Sequence, residues 1–308
     1  MLHRECPFCG RSAEHPRVFG ERRGAVYLRC QSCGAVYMDI SPHDFRRLHD
    51  VSFADEGFLD DKTAMRGGAP DRQRWEEFSA LLGPGSVLEI GPGTGQVLAA
   101  ARDDGREVAG IESSETHRDF IRRSWAIEEL YASLDEVPAG RRFDNVIMVN
   151  VLEHVYDVAG LMSGLREHLT NEARIFISTV NARGILGTLA GTYWSMFKPL
   201  DHVSFPSLES LRVLASRTGY RLERRWSAEL PLETPLGLLV AVRDYLRDSR
   251  GQSAPESAGT PAGATGRSAR KRLLSRVYDA ARHLDPSRHA VARLQRAATV
   301  KGVFVPAA

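Results

Sequence analysis

From residue 71 onward the apolar positions fall into alternating helical and strand-like blocks. Trp75, Phe78, Leu81 and Leu82 share one helical face, and Gly83-Pro84-Gly85 stops that helix. Val87-Leu88-Glu89-Ile90 follows as a short apolar run between turn residues, the pattern of a buried strand. The same pattern predicts helices over 95–102 and 116–125 and strands over 108–111, 146–149 and 175–178, with Val303-Phe304-Val305 as the last strand. Strands alternating with helices predict an open, mainly parallel α/β sheet.

Before residue 71 the pattern is different. Short runs at 26–29 and 35–38 read as the strands of a hairpin. A helix begins near Pro42 and leads into an acidic, glycine-bearing stretch containing Asp55-Glu56-Gly57 and Gly67-Gly68. The expected organisation is therefore a small module over 1–40, a helical connector over 41–70 and an α/β domain over 71–308. Within that domain, 251–268 (GQSAPESAGTPAGATGRS) lacks large apolar side chains and is expected to be a disordered loop. Residues 270–296 read as a basic helix, by default a solvated face.

Composition narrows the class. With 308 residues, 43% hydrophobic and 26% charged, the chain is an ordinary globular protein. No run reaches the roughly 18 apolar residues of a membrane span, and the N-terminus has no apolar core of a secretory signal. A cytoplasmic protein is expected. Lys+Arg 41 against Asp+Glu 39 leaves +2, so charge gives no reason to expect a nucleic-acid partner.

All four cysteines lie in the small module, as Cys6-Pro-Phe-Cys9-Gly and Cys30-Gln-Ser-Cys33-Gly with 20 residues between the pairs. Two C-x-x-C knuckles at this spacing are the pattern of a zinc ribbon, a closed tetrathiolate site that holds structure and does no chemistry. Two disulfides would need an oxidising compartment that nothing else in the chain suggests, and a redox function would need only one pair.

The first α/β turn reads Glu89-Ile90-Gly91-Pro92-Gly93-Thr94-Gly95, a G-x-G-x-G loop that departs from the G-x-G-x-x-G of dinucleotide dehydrogenases. Glu112 sits directly after the next strand, 21 residues beyond Gly91. A carboxylate there can accept both hydroxyls of a ribose, or it can be a solvated helix-start residue.

These residues resemble the class I S-adenosylmethionine-dependent methyltransferases. The resemblance runs through VLEIGPGTGQ, Glu112, FDNVIMVNVLEHVYD, ISTVN and YWSMFKPLDHVSFPSLESLRVLASRTGY, and covers about residues 75 to 305. It implies a Rossmann-like sheet, mainly parallel with its last strand antiparallel, preceded here by the zinc ribbon. It implies that Gly91, Gly93 and Gly95 let backbone approach the methionyl part of S-adenosylmethionine, that Glu112 holds the ribose and that Glu89 receives the amino end. Many relatives carry an acid after the third strand for the adenine. This chain has none there, so backbone groups near Ser133 and Leu134 are expected instead, and Asn150 is counted among the cofactor-binding residues.

Methyl transfer needs alignment and, for a hydroxyl acceptor, a base. His202 follows an aromatic group of Tyr193, Trp194 and Phe197 and is the first candidate; the alternative is that it pins the loop. Glu153 and His154 form a catalytic pair or a structural helix start. In the similar ubiquinone-pathway O-methyltransferases this loop can hold a divalent cation, but Asn150 stands here where those carry an acid. The three aromatic residues are either core or acceptor pocket. The expected function is O-methylation of a small molecule, sugar or secondary metabolite. The alternatives are C- or N-methylation of a nucleotide-linked sugar, and a ribbon-docked methylase acting on RNA or a protein. Acceptor identity and oligomeric state are not legible.

Overall fold

A computed structural model of the chain describes residues 4–12, 17–52, 69–199, 201–228, 239, 241–247 and 298–307. The predicted loop over 251–268, the basic helix over 270–296 and most of the connector's second half lie outside the described residues.

The larger sheet has seven strands: β4 (Val87–Ile90), β5 (Val108–Ile111), β6 (Leu130–Tyr131), β7 (Phe143–Val149), β8 (Leu169–Val180), β10 (Tyr220–Ala228) and β11 (Thr299–Pro306). Their order is β10-β11-β8-β7-β4-β5-β6. β4 pairs in parallel with both β5 and β7, so the chain reverses its winding direction at β4. Ligands of open α/β sheets bind beyond the carboxyl ends of strands at such a switch point. β11 is antiparallel to β8 and to β10, as expected for the last strand.

Helices α2 (Arg72–Ser79), α3 (Gln96–Asp103), α4 (Glu115–Trp125), α5 (Val158–Leu165), α6 (Ile185–Ala190) and α7 (Leu208–Arg217) follow the strands or precede the sheet. Their starts are set locally. Ser114 accepts from the His117 amide, Asp157 from the Gly160 amide, and Ser207 forms a reciprocal box with Ser210. Each such cap contributes about 1 kcal/mol. α2 ends at Ser79, so Leu81 and Leu82 pack from the turn after it, not from its face.

The N-terminal segment forms a second, four-stranded antiparallel sheet. β1 (Arg17–Arg22), β2 (Ala25–Arg29) and β3 (Val36–Met38) come from the ribbon, and the fourth strand, β9 (Ser204–Phe205), comes from the α/β domain. α1 (Pro42–Ser52) follows, where a helix was expected. Side chains alternate across β2 and β3, and both faces are covered. Leu28, Ala35 and Tyr37 join a core with Leu208, Leu211 and Leu214 of α7. Tyr27, Val36 and Met38 join another with Trp194, Phe197, Val203 and Phe205. A strand buried on both faces reads as a continuous apolar run, which is how AVYL and AVYM read. The boundary expected at residue 40 thus runs between segments that share a sheet and a core.

Candidate active site

Beyond the carboxyl ends of β4, β5 and β7 lies a cavity of about 650 Å³. Its near wall is built by the first α/β turn. Gly91 and Gly93 have φ of +66° and +59°, a region that favours glycine. A Cβ on Gly93 would meet nothing within 4 Å, so this backbone stands open to whatever fills the cavity. Gly95 differs. It does not line the cavity, and a Cβ there would lie 2.9 Å from Ile121 and 3.1 Å from Trp125. Its service is to let α4 close on the loop, and the Trp125 indole donates to the Thr94 carbonyl at 2.7 Å.

Glu112, 7% exposed, sits at the end of β5. Its Oε1 accepts from the Ser114 amide at 3.0 Å, and His117 Nδ1 is 3.7 Å from Oε2. Glu89, the penultimate residue of β4, is also buried and lines the cavity. At the far end Ala132 forms the wall; Ser133 and Leu134, expected there, begin a turn just past it.

The opposite wall comes from the loop after β7 and the segment before β9. Asn150 takes φ +54° and donates its amide to Ser178, turning the chain into a single helical turn at Leu152–His154. Glu153 is 1% exposed, and its Oε2 accepts from Thr179 Oγ1 at 2.6 Å. Burial pushes its carboxyl up, against the opposing pull of His154 and Thr179.

His154 Nδ1 lies 2.6 Å from Asp201 Oδ1, and Lys198 Nζ is 3.7 Å from the other oxygen. Burial opposes charge on this ring, but the Asp201 carboxylate and Glu153 outweigh it, so the imidazole is held above its ordinary range. Asp201 is driven down to about 2, its own burial outweighed by His154, His202 and Lys198. His202 is the reverse case. It is 4% exposed, its Nδ1 is 2.7 Å from the Met196 carbonyl, and its ring stands edge-on to that of His154 at 4.6 Å. Burial and the neighbouring charges of His154 and Lys198 push it down to about 3. Trp194 and Phe197 are core residues, 2% and 1% exposed; only Met196 of that stretch reaches the cavity.

Sequence reasoning passed over Asp201 as a partner, although it sits beside His202. It also missed Arg4, whose guanidinium reaches from the ribbon into this wall. Arg4 donates to the carbonyls of Met38, Val203 and Tyr156 and lies 4.0 Å from the centre of the Tyr156 ring. Burial lowers it to about 10.

The four cysteines converge as two knuckles should. Cys6 and Cys33 Sγ are 3.6 Å apart, Cys9 and Cys30 Sγ 3.5 Å, and all four sulfurs lie within 4.8 Å of one another. A disulfide needs about 2.05 Å. The edge of a tetrahedron with metal–sulfur bonds of about 2.3 Å is roughly 3.8 Å. The donor set therefore fits one tetrahedral metal ion.

A glycine turn at the switch point of a seven-stranded sheet with one antiparallel strand, and an acid ending the second strand, define the class I S-adenosylmethionine-dependent methyltransferase architecture. The family model described as "Methyltransferase domain" matches residues 68–224, and the chain belongs to that family. A ubiquinone biosynthesis O-methyltransferase of Bradyrhizobium diazoefficiens is 27% identical over 159 residues, 45% of this chain and 62% of that protein. An uncharacterized methyltransferase of Staphylococcus carnosus is 27% identical over 100 residues, 32% of this chain and 48% of that one. The chain thus spans about half to three-fifths of the length of these two curated relatives. Among solved structures, phosphoethanolamine N-methyltransferase 2 of Haemonchus contortus, in complex with S-adenosyl-L-methionine, has the same fold. It superposes with a TM-score of 0.55 at 15% identity, over 87% of this chain and 60% of that one. Among the described residues no helix is long and apolar enough to cross a membrane.

Proposed function

We propose that this protein transfers a methyl group from S-adenosylmethionine to a hydroxyl oxygen of a small-molecule acceptor, with His154 as the base. The cofactor supplies a methyl carbon already activated by a sulfonium. Gly91 and Gly93 would hold its methionyl part through backbone, Glu112 its ribose hydroxyls and Glu89 its amino end. One zinc ion would be held by Cys6, Cys9, Cys30 and Cys33, closed to solvent chemistry and serving only to fix the ribbon.

The observation that carries the base assignment is the His154–Asp201 pair in the wall facing the glycine turn. A carboxylate on Nδ1 fixes the tautomer, leaves Nε2 as the accepting nitrogen and stabilises the imidazolium that forms. This reverses the order expected from the sequence, in which His202 came first. His202 is a weak base, and its Nδ1–H is best used holding the Met196 carbonyl; it is assigned to shaping the loop. Glu153 is assigned to supporting that loop through Thr179. The O-methyltransferase names among the relatives agree with oxygen as the acceptor atom.

The test is a panel of hydroxylated small molecules incubated with cofactor and screened for the mass gain of one methyl substitution. With an acceptor in hand, His154→Gln and Asp201→Asn should each lower turnover by about 10²–10⁴-fold. The wild-type rate should rise with pH through a pKa above the ordinary histidine value, because the working form is neutral and Asp201 favours the charged one. A His154→Gln variant with full turnover would return the role to His202.

A further inference from the structure

A second, smaller cavity of about 310 Å³ opens beside the Cys30–Cys33 knuckle, with Arg17, Arg29, Arg183 and Glu209 in its wall. The arginines arrive from three separate parts of the chain. Arg17 of β1 and Arg29 of β2 are register partners across the antiparallel pair. Like charges directly opposite one another destabilise such a pair. Arg183 comes from the turn after β8 and lies over the knuckle, where a Cβ on Gly34 would stand 2.7 Å from its Nη1.

The carboxylate in the wall does not balance them. Glu209 is committed to Arg212 at 2.6 Å and to Arg225 at 3.4 Å. Among the described residues, no ion pair neutralises any of the three guanidinium groups of this cleft. Guanidinium forks match the oxygens of a phosphoryl group in geometry as well as charge. Three guanidinium groups lining one cleft, with no carboxylate paired to them among the described residues, are an arrangement that a bound dianion would complete.

We propose that this cleft is a phosphate-binding site, taking the phosphoryl group of a small molecule between Arg17, Arg29 and Arg183. A concave cleft of this size suits a compact phosphate ester better than the extended backbone of a polymer. The site is separate from the methyl-transfer cavity and does not depend on the assignment made there. Its main competitor is local: a divalent metal held by four thiolates carries excess negative charge, and nearby arginines could serve only to balance it.

The experiment is thermal unfolding and calorimetric titration of the purified full chain with inorganic phosphate and pyrophosphate, against sodium chloride at matched ionic strength. Metal content is measured on every sample. Saturable binding with a rising Tm is expected, since a ligand of the folded state stabilises it. Arg17→Gln and Arg183→Gln, both at exposed positions, should each weaken binding roughly 10- to 100-fold while metal content stays unchanged. Four results overturn the proposal. One is no salt-matched response to either anion up to tens of millimolar. Another is phosphate binding that both variants retain, which would place the anion elsewhere. The third is loss of metal in the variants without loss of any phosphate affinity, which would make the arginines counter-charges of the thiolates. Binding of a single-stranded RNA oligonucleotide without binding of either small anion also counts against it.

Discussion

The two walls of the large cavity are built in opposite ways. The wall bearing Gly91, Gly93 and Glu112 is assembled from β4, β5 and the turns directly after them, all within about two dozen consecutive residues. The wall bearing His154, Asp201 and His202 draws on the loop after β7, the segment before β9 and, behind both, the ribbon. Val203 donates to the Glu153 carbonyl at 2.7 Å and accepts from Met38 at 2.9 Å and from Arg4 at 3.2 Å. One wall is fixed by local backbone geometry, the other by contacts between residues up to about two hundred positions apart. The first should survive damage to the ribbon, and the second should not.

The strongest break of that comparison is Cys30→Ser. Binding of a structural zinc supplies on the order of 10 kcal/mol to small metal-held modules, so losing one thiolate ligand should open the ribbon. Hydrogen exchange should then quicken in β1, β2, β3 and β9, while β4 and β5 keep their protection. Loss of protection in all of them together would make the two walls one cooperative unit.

Arg4→Ala is a smaller cut at the same seam. It takes the Arg4 donor from the Tyr156 carbonyl, while the Val203 carbonyl keeps the Met38 amide, at an expected cost of about 1–3 kcal/mol in chemical denaturation. Turnover should fall with it and cofactor affinity should not. A change below about 0.5 kcal/mol would mean that the ribbon does not support this wall.

His202 gives a pH-dependent test. Its folded pKa of about 3 lies below the unfolded value of about 6.5, so its contribution to stability is complete above pH 6.5 and is lost as pH falls towards 3. At pH 5 the loss from this one group is about 2 kcal/mol. His202→Gln, which keeps a hydrogen-bond donor for the Met196 carbonyl, should flatten the stability profile between pH 7 and pH 5 by about that amount. A profile unchanged by the substitution would mean that His202 is not held neutral.

The same contrast explains what the sequence reveals. The glycine turn, Glu112 and the cysteine knuckles are legible because their spacing is local, and the strands around them are fixed by short apolar runs. Gly95 was grouped with the ligand-facing glycines because spacing alone cannot separate close approach of a ligand from close approach of Ile121 and Trp125. The pairing of His154 with Asp201 spans 47 residues, and no periodicity encodes it. The union of ribbon and domain had one visible sign: apolar residues on both faces of β2 and β3. Strands with a solvated face would alternate with polar residues.

The most direct measurement is calorimetric titration of S-adenosylhomocysteine into the wild-type protein, Glu112→Ala and Asp201→Asn. It needs no knowledge of the acceptor, and it separates the two walls. Binding by the wild type is expected, weakened by about 1.5–3 kcal/mol in Glu112→Ala and essentially unchanged in Asp201→Asn. Tighter binding of a nicotinamide dinucleotide than of S-adenosylhomocysteine, or equal losses in the two variants, would contradict the account.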